Sequence, residues 1–214
     1  AGLVTVRKPA ERDLLTLTAM IRLDDGALLV ADGLVGTVRR IAPDGTSTVV
    51  AGGGTETEAN GGPATAAALD HPAALARHPD GSVYIGEAPR GIGEAGRLLR
   101  LAPDGTLHRV EPPPARWSTP LVAGLACAPD GSLYVVDPRD GCLHRRDPAG
   151  AWTIASTEIP LSRLAGVAVD GAGAVYVTTA ATHEIRRLVG SRLEPLAGRG
   201  RAAAAAAGTA AGQA

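Results

Sequence analysis

The sequence predicts an all-β propeller of four-stranded antiparallel blades, with about four blades present. Two observations predict it. A short apolar run, a tight turn and a second apolar run recur four times, around Gly26, Gly81, Gly131 and Gly173, which stand 55, 50 and 42 residues apart. A further glycine closes each unit, at Gly45, Gly105, Gly150 and Gly190, behind a strand that carries arginine: TVRRIAPDG, RLLRLAPDG, CLHRRDPAG and HEIRRLVGS. A period of this size with four short strands per unit is that of a propeller blade.

Taken in order, the units read MIRLDDGALLVAD from Met20, LARHPDGSVYIGE from Leu75, LACAPDGSLYVVD from Leu125 and VAVDGAGAVYVTT from Val167. In each, an apolar residue stands six before the glycine and a polar one six after it: Asp32, Glu87, Asp137 and Thr179. Pro-Asp-Gly presets φ at proline, lets aspartate bond its own backbone and leaves glycine free to take positive φ, so these are hairpin turns. Runs such as Ser-Val-Tyr-Ile are β-branched and aromatic, and too short for helices. Such hairpins cannot bury both faces alone and must stack around an axis.

The run Ala51-Gly-Gly-Gly, then GGPATAAALDHP from Gly61, then Pro-Asp-Gly-Ser-Val-Tyr-Ile resembles NHL-repeat propellers, in particular the NHL segments of teneurin-like and bacterial cell-surface proteins. The His-Pro before the first strand, the Tyr-Val-x-Asp of the second and the Arg-Arg-hydrophobic third strand carry the resemblance, which runs from about Leu17 to Gly198. His183-Glu-Ile-Arg-Arg is similar to the family's Asn-His-Arg-Ile-Arg, with departures at Thr182 and Glu184. The resemblance implies a binding scaffold in a larger, extracytoplasmic bacterial protein.

The reading places one propeller domain over 1–198, with units at about 17–52, 71–111, 120–156 and 161–198. A low-complexity Gly/Ala tail or connector follows over 199–214. Leu3–Val6 is a further strand candidate, and Ala64–Leu69 a short helical turn. Unit two carries an insertion, Ala88–Gly96, and Pro112–Pro120 stiffens the passage into unit three. NHL propellers usually hold five or six blades, and the tail resembles the connector from unit one to unit two. The expectation is therefore a monomeric module, part of a larger ring in a longer chain. A complete four-bladed ring is the alternative.

At 214 residues the chain can bury a sizeable core, but with no Phe and 2% aromatic residues that core must be Val, Leu, Ile and Ala. A net charge of −1 gives no bulk attraction for nucleic acid or anionic membrane. No run of eighteen or more apolar residues is present to span a bilayer. Cys127 and Cys142 fall on the first and third strands of unit three, with the second strand between them. They are expected as two unpaired thiols.

Asp32, Glu87 and Asp137 end second strands and face one rim, so they could ring the channel mouth and hold a divalent cation such as calcium, or a polar ligand, through their oxygens. The alternative is that each caps its own loop or pairs with its blade's arginine. Arg40, Arg100, Arg145 and Arg187 share one third-strand position, where they either meet an anion or pack along the strand with the head on a carboxylate. Some NHL propellers bind nucleic acid; the neutral charge and absent stacking aromatics argue against that here. His183 is the histidine of a mouth-side loop, His71 belongs to the structural His-Pro entry, and His78 and His108 flank turns at the opposite rim.

Gly91-Ile-Gly93-Glu-Ala-Gly96 matches a phosphate-loop spacing but has no helix after it. No set of nucleophile, base and orienter is visible. The reading is a non-catalytic scaffold that binds a protein or a small polar ligand at its loop-bearing rim and needs no cofactor. The candidate ligand-binding residues are Asp32, Glu87, Arg90, Asp137, Arg139 and His183. The alternative is a metal-dependent propeller enzyme of lactonase or lyase type, with calcium in the channel.

Overall fold

The computed structural model describes residues 16–58, 60–88, 96–111, 122–139, 141–156, 164–180 and 182–198. They form four antiparallel blades. Blade 1 holds β1 (Leu17–Arg22), β2 (Leu28–Asp32), β3 (Thr37–Ile41) and β4 (Ser47–Gly52). A two-residue strand β5 (Gly62–Pro63) and a 3-10 turn (Ala64–Ala66) lead to blade 2, with β6 (Pro72–Arg77), β7 (Val83–Glu87), β8 (Leu98–Leu101) and β9 (Thr106–Arg109). Blade 3 holds β10 (Gly124–Cys127), β11 (Leu133–Asp137), β12 (Cys142–Arg146) and β13 (Trp152–Ser156). Blade 4 holds β14 (Leu164–Val169), β15 (Val175–Thr179), β16 (Glu184–Val189) and β17 (Arg192–Gly198).

Each sheet is ordered as its sequence runs, first strand to fourth, which is the up-and-down meander of a propeller blade. Blade 2 differs by one strand. Its outer β9 pairs with β5 from the preceding connector, so the connector is stitched to the blade it introduces. The helical turn expected over Ala64–Leu69 is realised as a single 3-10 turn. No helix among the described residues is long and apolar enough to cross a membrane.

The core lies between blades. Leu29, Ala31 and Val38 of blade 1 pack on Leu75, Ile85 and Leu99 of blade 2. Tyr84 and Leu98 of blade 2 pack on Leu125 and Val135 of blade 3, and Tyr134 and Leu143 of blade 3 pack on Leu164 and Val177 of blade 4. The inner strands touch in that sequence: β1 on β6, β6 on β10, β10 on β14. Their ends, with the turns that follow, line a cavity of about 410 Å³ at the rim away from the mouth, including Arg22, Arg77, Cys127 and Asp170.

The Gly-rich connector is tight for a physical reason. A Cβ on Gly54 would lie 2.0 Å from the Ala66 carbonyl oxygen. Gly52, at φ +81°, would place one 2.2 Å from the Gly36 carbonyl oxygen. Backbone approaches backbone here, so side chains are excluded.

Neither Cys127 nor Cys142 forms a disulfide, as expected. β11 separates their strands, and they also sit at opposite ends of it: Cys127 pairs with Leu133 and Cys142 with Asp137. Burial pushes the Cys127 thiol up to about 12, so it carries no thiolate at neutral pH. The native chain should therefore leave a thiol reagent unreacted at pH 8 and release two equivalents once guanidinium unfolds it. Leu143, fully buried between blades 3 and 4, should cost about 2–5 kcal/mol when replaced by alanine, read from urea denaturation.

Candidate functional site

At the mouth of each blade two positions face each other across the hairpin that joins the second and third strands. Asp32 stands opposite Thr37, Asp137 opposite Cys142 and Thr179 opposite Glu184. In blade 2 the same juxtaposition brings Glu87, whose N–H donates to the Arg97 carbonyl at 2.8 Å, against Arg97. Asp32, Glu87, Asp137 and Thr179 are all buried. One scaffold position thus carries four different side-chain pairs.

Three of the pairs serve their own loop. Asp32 Oδ1 accepts the N–H groups of Leu34 and Val35 at 3.1 Å and that of Thr16 at 3.2 Å. Asp137 Oδ1 accepts the Arg139 N–H at 2.8 Å. Thr179 Oγ1 lies 2.6 Å from Thr182 Oγ1 and donates to the Glu184 carbonyl at 3.3 Å. These loops span four residues each, 33–36, 138–141 and 180–183, short enough for an Asx-type or hydroxyl turn to close them. Of the carboxylates for which the sequence raised a capping alternative, Asp32 and Asp137 cap their own loops.

Blade 2 is different. Its connection spans ten residues, 88–97, and its carboxylate is one methylene longer. Glu87 reaches the Arg97 guanidinium with both oxygens, Nε to Oε2 and an Nη at 3.0 Å to Oε1, and Oε1 also accepts the Asp70 N–H at 2.7 Å. Arg97 goes on to donate to the Thr57 carbonyl at 2.8 Å and the Ala68 carbonyl at 2.9 Å. One guanidinium therefore ties the blade 1–2 connector to the mouth of blade 2. A cleft of about 470 Å³ opens beside it, lined by Thr57, Asp70, Glu87 and Arg97 among others.

The electrostatics of the pair set two opposing effects on Glu87. Burial raises its pKa, the Arg97 hydrogen bond and charge pull it down, and burial is the larger, so the carboxyl titrates above its ordinary value. Arg97 is held more firmly protonated by the same contact.

The other candidates are placed as follows. Arg139 lies in the blade 3 loop and gives its N–H to Asp137. His183 takes φ +54° at the loop position where blades 1 and 3 have Gly36 and Gly141, at φ +71° and +69°. Arg90 lies outside the described residues, as does Leu3–Val6. His71, also at positive φ, sets its Nδ1 3.0 Å from the Gly33 carbonyl and so locks blade 2 onto the first loop of blade 1. His78 sits at the opposite rim, with Nε2 3.1 Å from the Gly131 carbonyl.

The third-strand arginines are engaged at that opposite rim. Arg40 pairs with Asp25, Arg100 with Asp80 at 2.9 Å, and Arg145 reaches Ser132 at 2.7 Å and Asp130 at 3.6 Å. Blade 4 departs from this: the Tyr176 hydroxyl donates to Asp170 at 3.0 Å, with Arg187 contributing its charge nearby. Each arginine serves its own hairpin turn rather than a common anion site. Among the described residues no group of three or more His, Cys, Asp or Glu is placed to hold a metal ion.

Arg97, Asp70 and Thr57 were not singled out by the sequence reading. The available signal was the hairpin register, which sets Arg97 opposite Glu87.

No family model matches the chain, and no curated protein is similar to it. Solved structures are. A streptogramin B lyase superposes with a TM-score of 0.62 at 13% identity, over 84% of this chain and 54% of the lyase. A candidate gluconolactonase gives 0.66 at 20% identity, over 86% and 64%. The H270A variant of virginiamycin B lyase from Staphylococcus aureus, determined with quinupristin, gives 0.57 at 17% identity, over 84% and 69%. At these identities the likeness shows the propeller fold alone. The chain spans a little over half the length of the first of these and about two-thirds of the other two.

Replacing Arg97 by alanine leaves Glu87 buried without its cation. The group's folded pKa then rises further above its unfolded one. Its stabilising contribution is full below the unfolded value and is lost as pH rises through the folded one. Arg97→Ala should therefore cost about 3 kcal/mol at pH 8 and distinctly less near pH 5, and adding Glu87→Gln should flatten that dependence; denaturant titrations at the two pH values check it. His183→Gly should leave stability unchanged or raise it by up to about 1 kcal/mol, since glycine takes positive φ without strain; its melting temperature is the readout.

Proposed function

We propose that this chain is a non-catalytic binding propeller of the NHL-repeat kind, a module of a larger extracytoplasmic bacterial protein. It holds a protein segment or a small polar ligand at its mouth. The observation that carries the reading is the cleft beside Glu87 and Arg97, at the one blade whose mouth loop is long. Binding surfaces are built by lengthening loops on a rigid scaffold, and the other three mouth hairpins are closed on themselves. Asp70, Glu87 and Arg97 are the polar lining of that cleft; Arg90, Arg139, Asp32, Asp137 and His183 are the further residues that this reading assigns to ligand binding.

A second reading is an enzyme of lyase or lactonase type. What favours it is the names of the structural neighbours and a buried glutamate with a raised pKa beside an arginine, a combination suited to proton transfer. It calls for a metal or a proton donor and acceptor in the channel.

Metal content and melting temperature with and without EDTA separate the two, together with a thermal-shift screen of small polar compounds, sugar acids and lactones included. The binding reading expects an EDTA-insensitive melt. It also expects a ligand that raises the melting temperature of the native chain by several degrees and that of Arg97→Gln by less than one. Stoichiometric metal with a chelation-sensitive melt, or lactone turnover lost in Glu87→Gln, would move the assignment to the enzyme. A ligand that stabilises native and variant alike would show that the cleft is not where it binds.

A further inference from the structure

One repeat position is tyrosine in three blades and leucine in the other. Tyr84, Tyr134 and Tyr176 stand opposite Arg100, Arg145 and Arg187 across the second and third strands, and Leu29 stands opposite Arg40 at the same register. Tyr84 is buried in the cluster between blades 2 and 3, with Val110 and Leu133, and Tyr134 in the one between blades 3 and 4. Leu29 faces the junction of blades 1 and 2 in the same way, with a shorter side chain and no ring.

A second exchange of aromatic for aliphatic lies beside it. The residue that opens the first hairpin turn, whose N–H donates to the carbonyl four residues on, is His78 in blade 2 and Leu23 in blade 1. His78 stacks edge-on against Tyr84, with 5.9 Å between ring centroids, and its Nε2 lies 3.1 Å from the Gly131 carbonyl of blade 3. A Cβ on Gly131 would meet that imidazole at 3.2 Å; on Gly81, the equivalent glycine of blade 2, it would meet only Pro103, at 3.6 Å. Leu23 leaves open what His78 closes. A cavity of about 430 Å³ results between blades 1 and 2. Buried Leu29, Val83 and Leu101 line it, with half-buried Leu23 and Val50 and with Arg40, whose head group is held on Asp25. At the blade 2–3 junction burial raises the Tyr84 pKa, and the charges of Arg146 and Arg100 draw it down, so a phenolic oxygen there lies in the field of the third-strand arginine.

We propose that this cavity binds a small monocyclic phenol, free in solution, which supplies at the blade 1–2 junction the ring that Tyr84 supplies between blades 2 and 3. The repeat itself specifies the ligand chemistry: aliphatic side chains for the ring and Arg40, at the register of Arg100, for the hydroxyl. A closed apolar cavity of about 150 Å³ suffices for benzene, so the larger space here admits a substituted ring. The site stands at the rim away from the cleft beside Glu87 and Arg97 and is independent of what that cleft binds.

Equilibrium dialysis of the purified chain against p-cresol, the tyrosine side chain as a free molecule, reads the outcome. One p-cresol per chain is expected with a Kd of about 0.1–1 mM, the range open to a ligand of so few atoms. Toluene, which lacks the hydroxyl, should bind at least about threefold more weakly, and so should p-cresol to Arg40→Gln. Leu29→Tyr returns the repeat's own ring to the position; it should abolish p-cresol binding and melt no lower than the native chain. Should Leu29→Tyr not fold, Arg40→Gln, at a half-exposed side chain, decides. No p-cresol bound at about 5 mM would overturn the proposal. So would binding that Leu29→Tyr or Arg40→Gln leaves intact, or toluene bound as tightly as p-cresol. Tighter binding of N-acetyltyrosinamide than of p-cresol would overturn it as well, by assigning the cavity to a tyrosine of another protein.

Discussion

Each sheet in this protein carries apolar side chains on both faces, and that constraint organises everything else. A four-stranded meander with Leu, Val and Tyr on either side cannot bury itself. It must lie between two neighbours, and the hydrophobic gain from removing those side chains from water comes at the junctions between blades. The three apolar clusters sit there rather than inside any blade. The same constraint explains the connector: Gly52 and Gly54 let the chain turn from blade 1 into blade 2 with backbone against backbone, so the sheets can approach to packing distance.

Packing between blades frees the hairpin ends for other work, and the two rims use that freedom differently. At the rim away from the mouth the repeat is nearly uniform. An aspartate in the turn meets an arginine from the third strand in blades 1 to 3, and burial of Asp80 is outweighed by hydrogen bonds from Ser82, His78 and Arg100, which hold it well below the usual carboxylate range. At the mouth the same scaffold position holds Asp32, Glu87, Asp137 and Thr179 with four different partners. The uniform rim braces the hairpins, while the variable rim offers chemistry.

Blade 2 shows how loop length changes what a buried carboxylate does. Where the connection is four residues long, Asp32 and Asp137 find N–H donors in their own loop and become part of the turn. Where it is ten residues long, Glu87 turns to Arg97, and Arg97 reaches the carbonyls of Thr57 and Ala68 in the connector. The buried ion pair thereby fixes the connector as a wall of the cleft. An ion pair so placed contributes position more than stability, because desolvation offsets much of its attraction.

The four blade units, the antiparallel meander, the turns at Gly26, Gly81, Gly131 and Gly173 and the apolar strand positions were all legible in the sequence. They depend on local chemistry, on glycine at positive φ and on alternation along a strand, and the repeat displays each of them four times. The equivalence of Asp32, Glu87, Asp137 and Thr179 was legible for the same reason. Tertiary structure alone decided what those residues touch. Arg97 was selected by the hairpin register across a long loop, and Thr57 and Asp70 by the return of a connector through Gly54 and the two-residue strand β5. The contacts of Arg97 with Thr57 and Ala68 lie at no spacing that a chain-local rule can see. They arise where distant segments are forced together by sheets that have to cover one another.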